Sequence, residues 1–187
     1  MRRFEGHISG VVEAVLAQGD SFILSASGTA ELFSDIGTER AEQGADIFDM
    51  FLWETESGEL LHKFESLDHD AYDIAVTSDG SKALVASYYD NVLSLWDLEK
   101  YKQVYRFEGH HDSVRAVTIS SDDRRALTAS DDDSLILWEL KTGKLILQFK
   151  AHSSDVLDVT FSPNGRSAIS SARDGGVIIW ELHDAAE

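Results

Sequence analysis

Residues 109–139 read GHHDSVRAVTISSDDRRALTASDDDSLILWE, and this stretch contains the local pattern of the whole chain. Short runs of β-forming residues alternate with turns built from aspartate, such as Asp122-Asp123 and Asp131-Asp132-Asp133. This alternation at intervals of about 8 to 12 residues is typical of antiparallel sheets. The runs are 114–119, 125–129 and 134–138, and a fourth follows at 144–149. The stretch therefore predicts a four-stranded β unit.

The same unit occurs four times. Tryptophans lie at positions 53, 96, 138 and 180, which gives gaps of 43, 42 and 42 residues. Phenylalanines follow the same period at positions 4, 64, 107 and 149, with gaps of 60, 43 and 42. The long first gap is one period plus an insertion of about 18 residues. The chain is therefore predicted to be one domain, residues 1–187, built from four repeats of about 42 residues.

The third strands of the last two units are apolar at consecutive positions, at Leu135–Trp138 and Val177–Trp180. A strand with only one buried face would alternate apolar and polar residues. Consecutive apolar residues therefore predict sheets that are buried on both faces, as when four-stranded blades stack face to face.

Gly109-His110 followed by Trp138-Glu139, together with the literal dipeptide Trp96-Asp97, resembles the WD-repeat (WD40-type) β-propeller family. The resemblance covers essentially the whole chain. It implies an all-β fold class with four four-stranded blades per chain. The predicted blades are residues 6–65, with an insertion at 29–46, then 66–108, 109–150 and 151–187.

The resemblance also implies a buried hydrogen-bonded chain in each complete blade. The carried-over residues are His110, Thr128, Asp132 and Trp138 in the third repeat, and His152, Ser170, Asp174 and Trp180 in the fourth. A catalytic triad would not recur once per repeat, so these residues are interpreted as structural. A buried indole N–H and a buried carboxylate both need partners, which such a chain supplies.

The first two repeats depart from this pattern. In the second, Leu67 and Ala86 are assigned to the histidine and hydroxyl positions, while in the first Ile47 is assigned to the aspartate position. Both hydrogen-bonded chains are therefore predicted to be incomplete. The two blades are expected to be locally less stable than the other two.

The insertion, TAELFSDIGTERAEQGAD, is the one segment that the repeat does not require. Leu32, Phe33 and Ile36 are apolar residues that a surface loop would not normally expose. Loops of this length are usually functional or disordered. Both interpretations remain open, and the functional one has these three side chains docking on a partner or a neighbouring blade.

By resemblance, the predicted function is a non-catalytic scaffold that binds protein or peptide partners on one face of the propeller. The positions implied for contacts are Tyr72, Tyr89, Arg115, Asp131, Leu157 and Arg173. Tyrosine and arginine are frequent interface anchors. The alternatives are a small-ligand-binding or enzymatic propeller that uses its central channel, and a pure oligomerisation module.

Residues 2–5 look like a spare outer strand, whereas the last repeat lacks one. This strand is predicted to complete the last blade, either of its own chain in a four-bladed ring or of a second chain in an eight-bladed ring. Four blades would each turn through about 90°, against about 45–51° in the rings of the family. The homodimer is therefore preferred, and completion by a different protein stays open.

The composition limits the classes of partner. Sixteen basic residues against thirty-four acidic ones give a formal net charge of −18, which disfavours nucleic acid and anionic membranes. There is no cysteine and no zinc-type histidine spacing, so neither a metal nor a cofactor is predicted. The Asp131-Asp132-Asp133 turn is interpreted as solvated rather than as a cation site. The expected location is cytoplasmic.

Overall fold

A computed structural model describes residues 1–7, 10–27, 49–64, 71–87 and 91–182. The described residues form fifteen strands in four antiparallel sheets, and no helix lies among them. Within these ranges there is also no helix of the length and apolarity that crossing a bilayer needs. The predicted all-β fold class is confirmed.

Each sheet is a meander in which neighbouring strands follow one another in sequence. The first comprises β1 (Val11–Ala17), β2 (Phe22–Ser27), β3 (Met50–Glu54) and β4 (Leu60–Phe64). The second comprises β5 (Ala71–Val76), β6 (Lys82–Ser87), β7 (Leu93–Asp97) and β8 (Lys102–Phe107). The third comprises β9 (Val114–Ile119), β10 (Arg125–Ser130), β11 (Leu135–Glu139) and β12 (Lys144–Phe149). The fourth comprises β13 (Val156–Phe161), β14 (Ser167–Ala172) and β15 (Val177–Glu181).

The sheets stack in chain order, and three apolar clusters fill the spaces between them. In the middle cluster, Leu84, Leu93 and Phe107 of the second sheet pack against Val114 and Trp138 of the third. All five side chains are at most 1% exposed. Because these strands carry apolar residues on both faces, each inner sheet can bury one face against the sheet before it and the other against the sheet after it.

The last strand departs from the prediction of burial on both faces. Val177 is 65% exposed and Ile179 is 72% exposed, whereas Leu135 and Leu137, their equivalents in β11, are 0% and 5% exposed. The sequence pattern is the same, but among the described residues no further sheet stacks on this side of β15. Burial here depends on a neighbour that the local sequence does not provide.

Residues 1–7 do not form a strand but lie against the first sheet. The Phe4 ring meets the Trp53 ring edge-on with centroids 5.7 Å apart, and Arg2 Nη1 donates to the Thr55 carbonyl at 2.6 Å. In the single chain these residues do not pair with β15. Strand addition by residues 2–5 therefore stays a prediction.

Candidate partner-binding face

Five of the six predicted contact residues lie at the end of the blades where the first strand of each sheet begins; we call this end the loop face. It is formed by the starts of β5, β9 and β13 and by the loops that follow β10 and β14. Backbone hydrogen bonds hold these loops to the strand starts, from Asp131 N–H to the Ser113 carbonyl at 3.0 Å and from Arg173 N–H to the Asp155 carbonyl at 2.9 Å.

Three of the predicted residues come together across two blades. Arg115 donates from Nε to the Asp131 carboxylate and from Nη1 to the Tyr72 hydroxyl. Its guanidinium carbon also lies 4.9 Å from the centroid of the Tyr72 ring. The Arg115 and Asp131 side chains are only 8% and 13% exposed. A planar guanidinium held on both sides in this way fixes the Tyr72 ring, which makes the centre of the loop face rigid.

The fourth blade contributes the more accessible part of the loop face. Leu157 is 38% exposed, and the exposed Arg173 pairs through Nε with Asp155 Oδ2 at 3.1 Å. Tyr89, the sixth predicted contact residue, lies outside the described residues, as do Leu32, Phe33 and Ile36 of the insertion.

One loop-face residue that sequence reasoning missed is Asp73, next to Tyr72 on β5. Its carboxylate accepts hydrogen bonds from the backbone N–H of Ile74 and from that of Val117 in the next blade, both at 2.8 Å. Burial raises the pKa of Asp73 to about 6, although the two backbone hydrogen bonds act to lower it. The negative charges of Glu13 and Asp158 raise this pKa further. An acidic residue directly before an apolar strand residue, also seen at Glu13 and Asp158, is the signal that could have identified it.

The structure brings the eight residues of the predicted hydrogen-bonded chains together. In the third blade, Trp138 Nε1 donates to Thr128 Oγ1 at 2.9 Å, His110 Nε2 lies 2.7 Å from the same oxygen, and His110 Nδ1 lies 3.0 Å from Asp132 Oδ2. In the fourth, Ser170 Oγ accepts from Trp180 at 2.8 Å and lies 2.8 Å from His152 Nε2, and His152 Nδ1 lies 3.0 Å from Asp174.

Both aspartates of these chains are held in the ionised form. Burial opposes ionisation of Asp132, but hydrogen bonds from His110, Ser134 and the His111 backbone outweigh it and keep its pKa below the usual range. Backbone hydrogen bonds from Ser153 and Gly176, with a smaller contribution from His152, lower the pKa of Asp174. In both blades the histidine thus links the hydroxyl that accepts from the tryptophan to the aspartate carboxylate of the same blade.

In the first two blades the hydrogen-bonded chain of side chains is incomplete. Among the described residues Trp96 Nε1 has no hydrogen-bond partner, because Val85 rather than the assigned Ala86 occupies the hydroxyl position. Val85 pairs with Ser94 in the second blade, as Thr128 pairs with Ile136 in the third, so Val85 and Thr128 are equivalent. The connection between β6 and β7 is therefore one residue longer than the connection between β10 and β11. In the first blade, His7 Nε2 lies 2.7 Å from Ser25 Oγ, but no described residue is a hydrogen-bond partner of His7 Nδ1. Leu67 and Ile47 lie outside the described residues.

The described part of the chain offers no cluster of metal-binding side chains. No group of three or more histidine, aspartate or glutamate side chains is arranged there to hold a metal ion. In the Asp131-Asp132-Asp133 turn, the first carboxylate pairs with Arg115 and the second with His110. A cavity of about 170 Å³ lies between the first and second blades, lined by residues that include Phe22, Leu61 and Tyr101. This volume is below the range of typical ligand pockets.

Comparison with known families supports the resemblance seen in the sequence. The family described as "WD domain, G-beta repeat" matches residues 101–139 and 143–181. A search among curated proteins found no match.

Solved structures extend the likeness to the whole fold. The structure titled "Structure of U3-55K" superposes with a TM-score of 0.79 at 19% identity, over 97% of this chain and 51% of that one. The "Crystal structure of RRP9 WD40 repeats" gives a TM-score of 0.78 at 20% identity, over 96% of this chain and 50% of that one. The chain therefore spans about half the length of both solved chains.

Proposed function

We propose that this WD-repeat β-propeller chain is a non-catalytic scaffold that binds a protein or peptide on its loop face. The observation that carries the proposal is the cluster of Tyr72, Arg115 and Asp131, which links two blades and is held in place by hydrogen bonds within the chain. A preorganised surface loses little side-chain freedom on association, so more of its contact energy remains as affinity.

The partner would contact the aromatic and aliphatic groups around this cluster. Tyr72 lies at its rim, and Leu157 and Arg173 are the accessible side chains of the neighbouring blade. An aromatic ring, an aliphatic side chain and an arginine together suit a peptide segment that has both an apolar and an acidic residue. The carboxylate of that segment would take over Arg173 from Asp155.

A small-ligand or enzymatic role in the central channel is the second candidate class. It is supported by Asp73, a carboxylate with a raised pKa on an inner strand. However, both Asp73 oxygens already accept backbone hydrogen bonds, which accounts for its position structurally. Native mass spectrometry of the purified chain separates the two classes, because a channel ligand would be retained as a discrete added mass.

We also propose that the scaffold is a homodimer, that it does not bind nucleic acid, and that it acts in the cytoplasm. The net charge of −18 supports the second of these points, since phosphate backbones are bound through clustered basic residues. Binding of a labelled RNA or DNA oligonucleotide at low salt would contradict it. A fluorescently tagged chain found outside the cytoplasm would contradict the third.

The experiment for the scaffold is quantitative affinity capture from cell extract with paired variants. The double substitution Leu157→Ala and Arg173→Ala should deplete the specific partner at least tenfold without lowering the melting temperature. The matched control is Arg124→Ala, an exposed arginine in the turn between β9 and β10, at the end of the third blade opposite the loop face. If every protein captured by the parent chain is captured equally by the double variant, the loop face is not the binding site.

A further inference from the structure

The uncovered face of the fourth sheet is the clearest feature that the proposed function does not explain. Three positions on this face are apolar and buried in every other sheet. Ile169, Val177 and Ile179 are 41%, 65% and 72% exposed. Their equivalents, at most 6% exposed, are Leu24, Met50 and Leu52 in the first sheet, Leu84, Leu93 and Leu95 in the second, and Leu127, Leu135 and Leu137 in the third. The fourth sheet thus has the surface on which each of the others receives the next blade.

A complementary surface exists on the first sheet. In each of the other sheets, the tryptophan of the third strand receives an outer-strand phenylalanine from the preceding blade. Phe64 lies 5.7 Å from Trp96, Phe107 lies 5.5 Å from Trp138, and Phe149 lies 5.1 Å from Trp180. Trp53, in the first sheet, receives Phe4 at 5.7 Å. Residues 2–5 therefore lie where the outer strand of a preceding blade would lie.

We infer that a second copy of the chain docks its fourth sheet onto the first sheet and residues 2–5 of this one. This inference deepens, and rests on, the homodimer proposed above. The fourth sheet would supply Ile169, Val177 and Ile179, and residues 2–5 would pair with β15 as its missing outer strand. The described residues leave the fourth sheet with an uncovered apolar face and three strands, and the same contact would cover the face and add a fourth strand.

The other blades give the register of this added strand. Their third and outer strands pair Met50 with Phe64, Leu93 with Phe107 and Leu135 with Phe149. By equivalence, Val177 pairs with Phe4 of the second copy. The next pair, corresponding to Ile136 with Gln148, is Ile178 with Arg3. A one-residue shift would turn the Phe4 ring away from Trp53, so the aromatic contact fixes this register.

In a dimer of this kind the fourth sheet of each copy docks on the first sheet of the other. The two joints are therefore identical, and the dimer has two-fold symmetry. Each chain carries both surfaces, so two chains joined at both ends leave neither surface open. The resulting ring has eight blades that each turn through about 45°, within the range of known propellers. A single chain would have to bring its fourth sheet onto its own first sheet, and the exposure of Val177 and Ile179 indicates that it does not.

The first test is the solution mass of paired surface variants. The 20.7 kDa chain should run at twice its mass, and Ile179→Asp should run as a monomer with an unchanged circular dichroism spectrum. The matched control is Val104→Asp, on the outer strand of the second sheet, where the native valine is 48% exposed; it should remain a dimer. A monomeric parent chain, or a dimeric Ile179→Asp variant, overturns the inference.

The second test is cross-linking, which the absence of cysteine makes unambiguous. Paired Cα atoms in antiparallel strands are about 4.5–5.5 Å apart, within the range that a disulfide spans. The pair Arg3→Cys and Ile178→Cys should therefore oxidise to a covalent dimer, whereas Glu5→Cys with Ile178→Cys, two residues out of register, should not. A disulfide within one chain, a ladder of higher oligomers, or equal reaction of both pairs overturns the proposed joint.

These results are separable from those on the loop face. If the parent chain is monomeric but still captures a partner through Leu157 and Arg173, the scaffold stands and the joint fails. If Ile179→Asp abolishes the dimer and neither form captures a partner, the joint stands and the scaffold fails.

Discussion

Thr128 and Val85 occupy equivalent positions in two neighbouring blades, yet they have opposite effects on the adjacent tryptophan. Thr128 Oγ1 accepts from Trp138 Nε1 and lies within hydrogen-bonding distance of His110. Val85 offers no acceptor, and Trp96 Nε1 has no hydrogen-bond partner in the part of the chain that the structure describes. A buried donor without an acceptor costs about 1–3 kcal/mol. The second blade thus tolerates a cost that the third avoids.

We predict that Thr128→Val lowers the free energy of unfolding by about 2–3 kcal/mol, because it leaves Trp138 Nε1 and His110 Nε2 without their common partner. The reciprocal substitution Val85→Thr supplies an acceptor to Trp96, and its effect should stay within about 0.5 kcal/mol because the new hydrogen bond offsets the lost apolar contact. Urea denaturation of the two variants measures both values. Equal losses in the two variants would contradict the role assigned to the hydroxyl.

Asp73 makes a prediction about pH. Its pKa of about 6 in the folded chain is above the ordinary value of 3.8, so between these values the folded state binds more protons than the unfolded state. Stability contributed by this residue is therefore full below about pH 4 and is lost as the pH rises to about 6. Relative to Asp73→Asn, the parent chain should lose up to roughly 3 kcal/mol between pH 4 and pH 7. A difference that stays constant across this range would contradict the raised pKa.

The hydrogen-bonding groups of the third and fourth blades could be identified from the sequence because each lies at a fixed distance from its tryptophan. The same counting placed the second blade's hydroxyl position at Ala86, since nothing in the sequence shows that the connection before β7 has an extra residue. The contacts of Arg115 with Tyr72 and of Asp73 with Val117 cross from one blade to the next. Spacing within a repeat carries no information about such contacts.

At the scale of the strands, a turn within one blade can be constrained by contact with the neighbouring blade as well as by its own conformation. Gly143, in the turn between β11 and β12, has a φ of +71°, which side-chain-bearing residues adopt at a cost. A Cβ at this position would also overlap the ring of Tyr105 on the outer strand of the preceding blade. The turn and its neighbour are therefore fitted to each other.

We predict that Gly143→Ala destabilises the chain by about 3 kcal/mol, of which about 1.5 kcal/mol is the conformational cost and the rest the overlap with Tyr105. In a Tyr105→Ala background the same substitution should cost only the conformational part. The four unfolding free energies of this double-mutant cycle give the two contributions. If the cost is the same in both backgrounds, the Tyr105 contact does not contribute.

Strand positions and blade stacking follow from the repeat and from runs of consecutive apolar residues. The exposure of β15 does not, because burial is a property of the neighbouring sheet as well as of the strand. Val177 and Leu135 are both apolar and occupy equivalent positions in the repeat, and their burial differs because only Leu135 has a further sheet beside it in the described structure.

At the scale of the whole molecule, charge opposes association. Each chain carries a formal net charge of −18, so two copies repel one another over the distance at which salt does not screen them. The joint proposed here is mainly apolar. Sedimentation equilibrium should therefore show a dissociation constant that falls at least threefold as sodium chloride rises from about 20 mM to about 500 mM. A dimer weakened by salt would indicate a joint held by ion pairs instead.

The measurement that tests the account most directly is the molar mass of the unmodified chain by light scattering after size exclusion, at two concentrations tenfold apart. The closed ring predicts a compact particle of twice 20.7 kDa at both concentrations, because two joints must break together for it to dissociate. A compact particle of 20.7 kDa at both concentrations would contradict the eight-bladed ring and leave the open face of the fourth sheet to another partner.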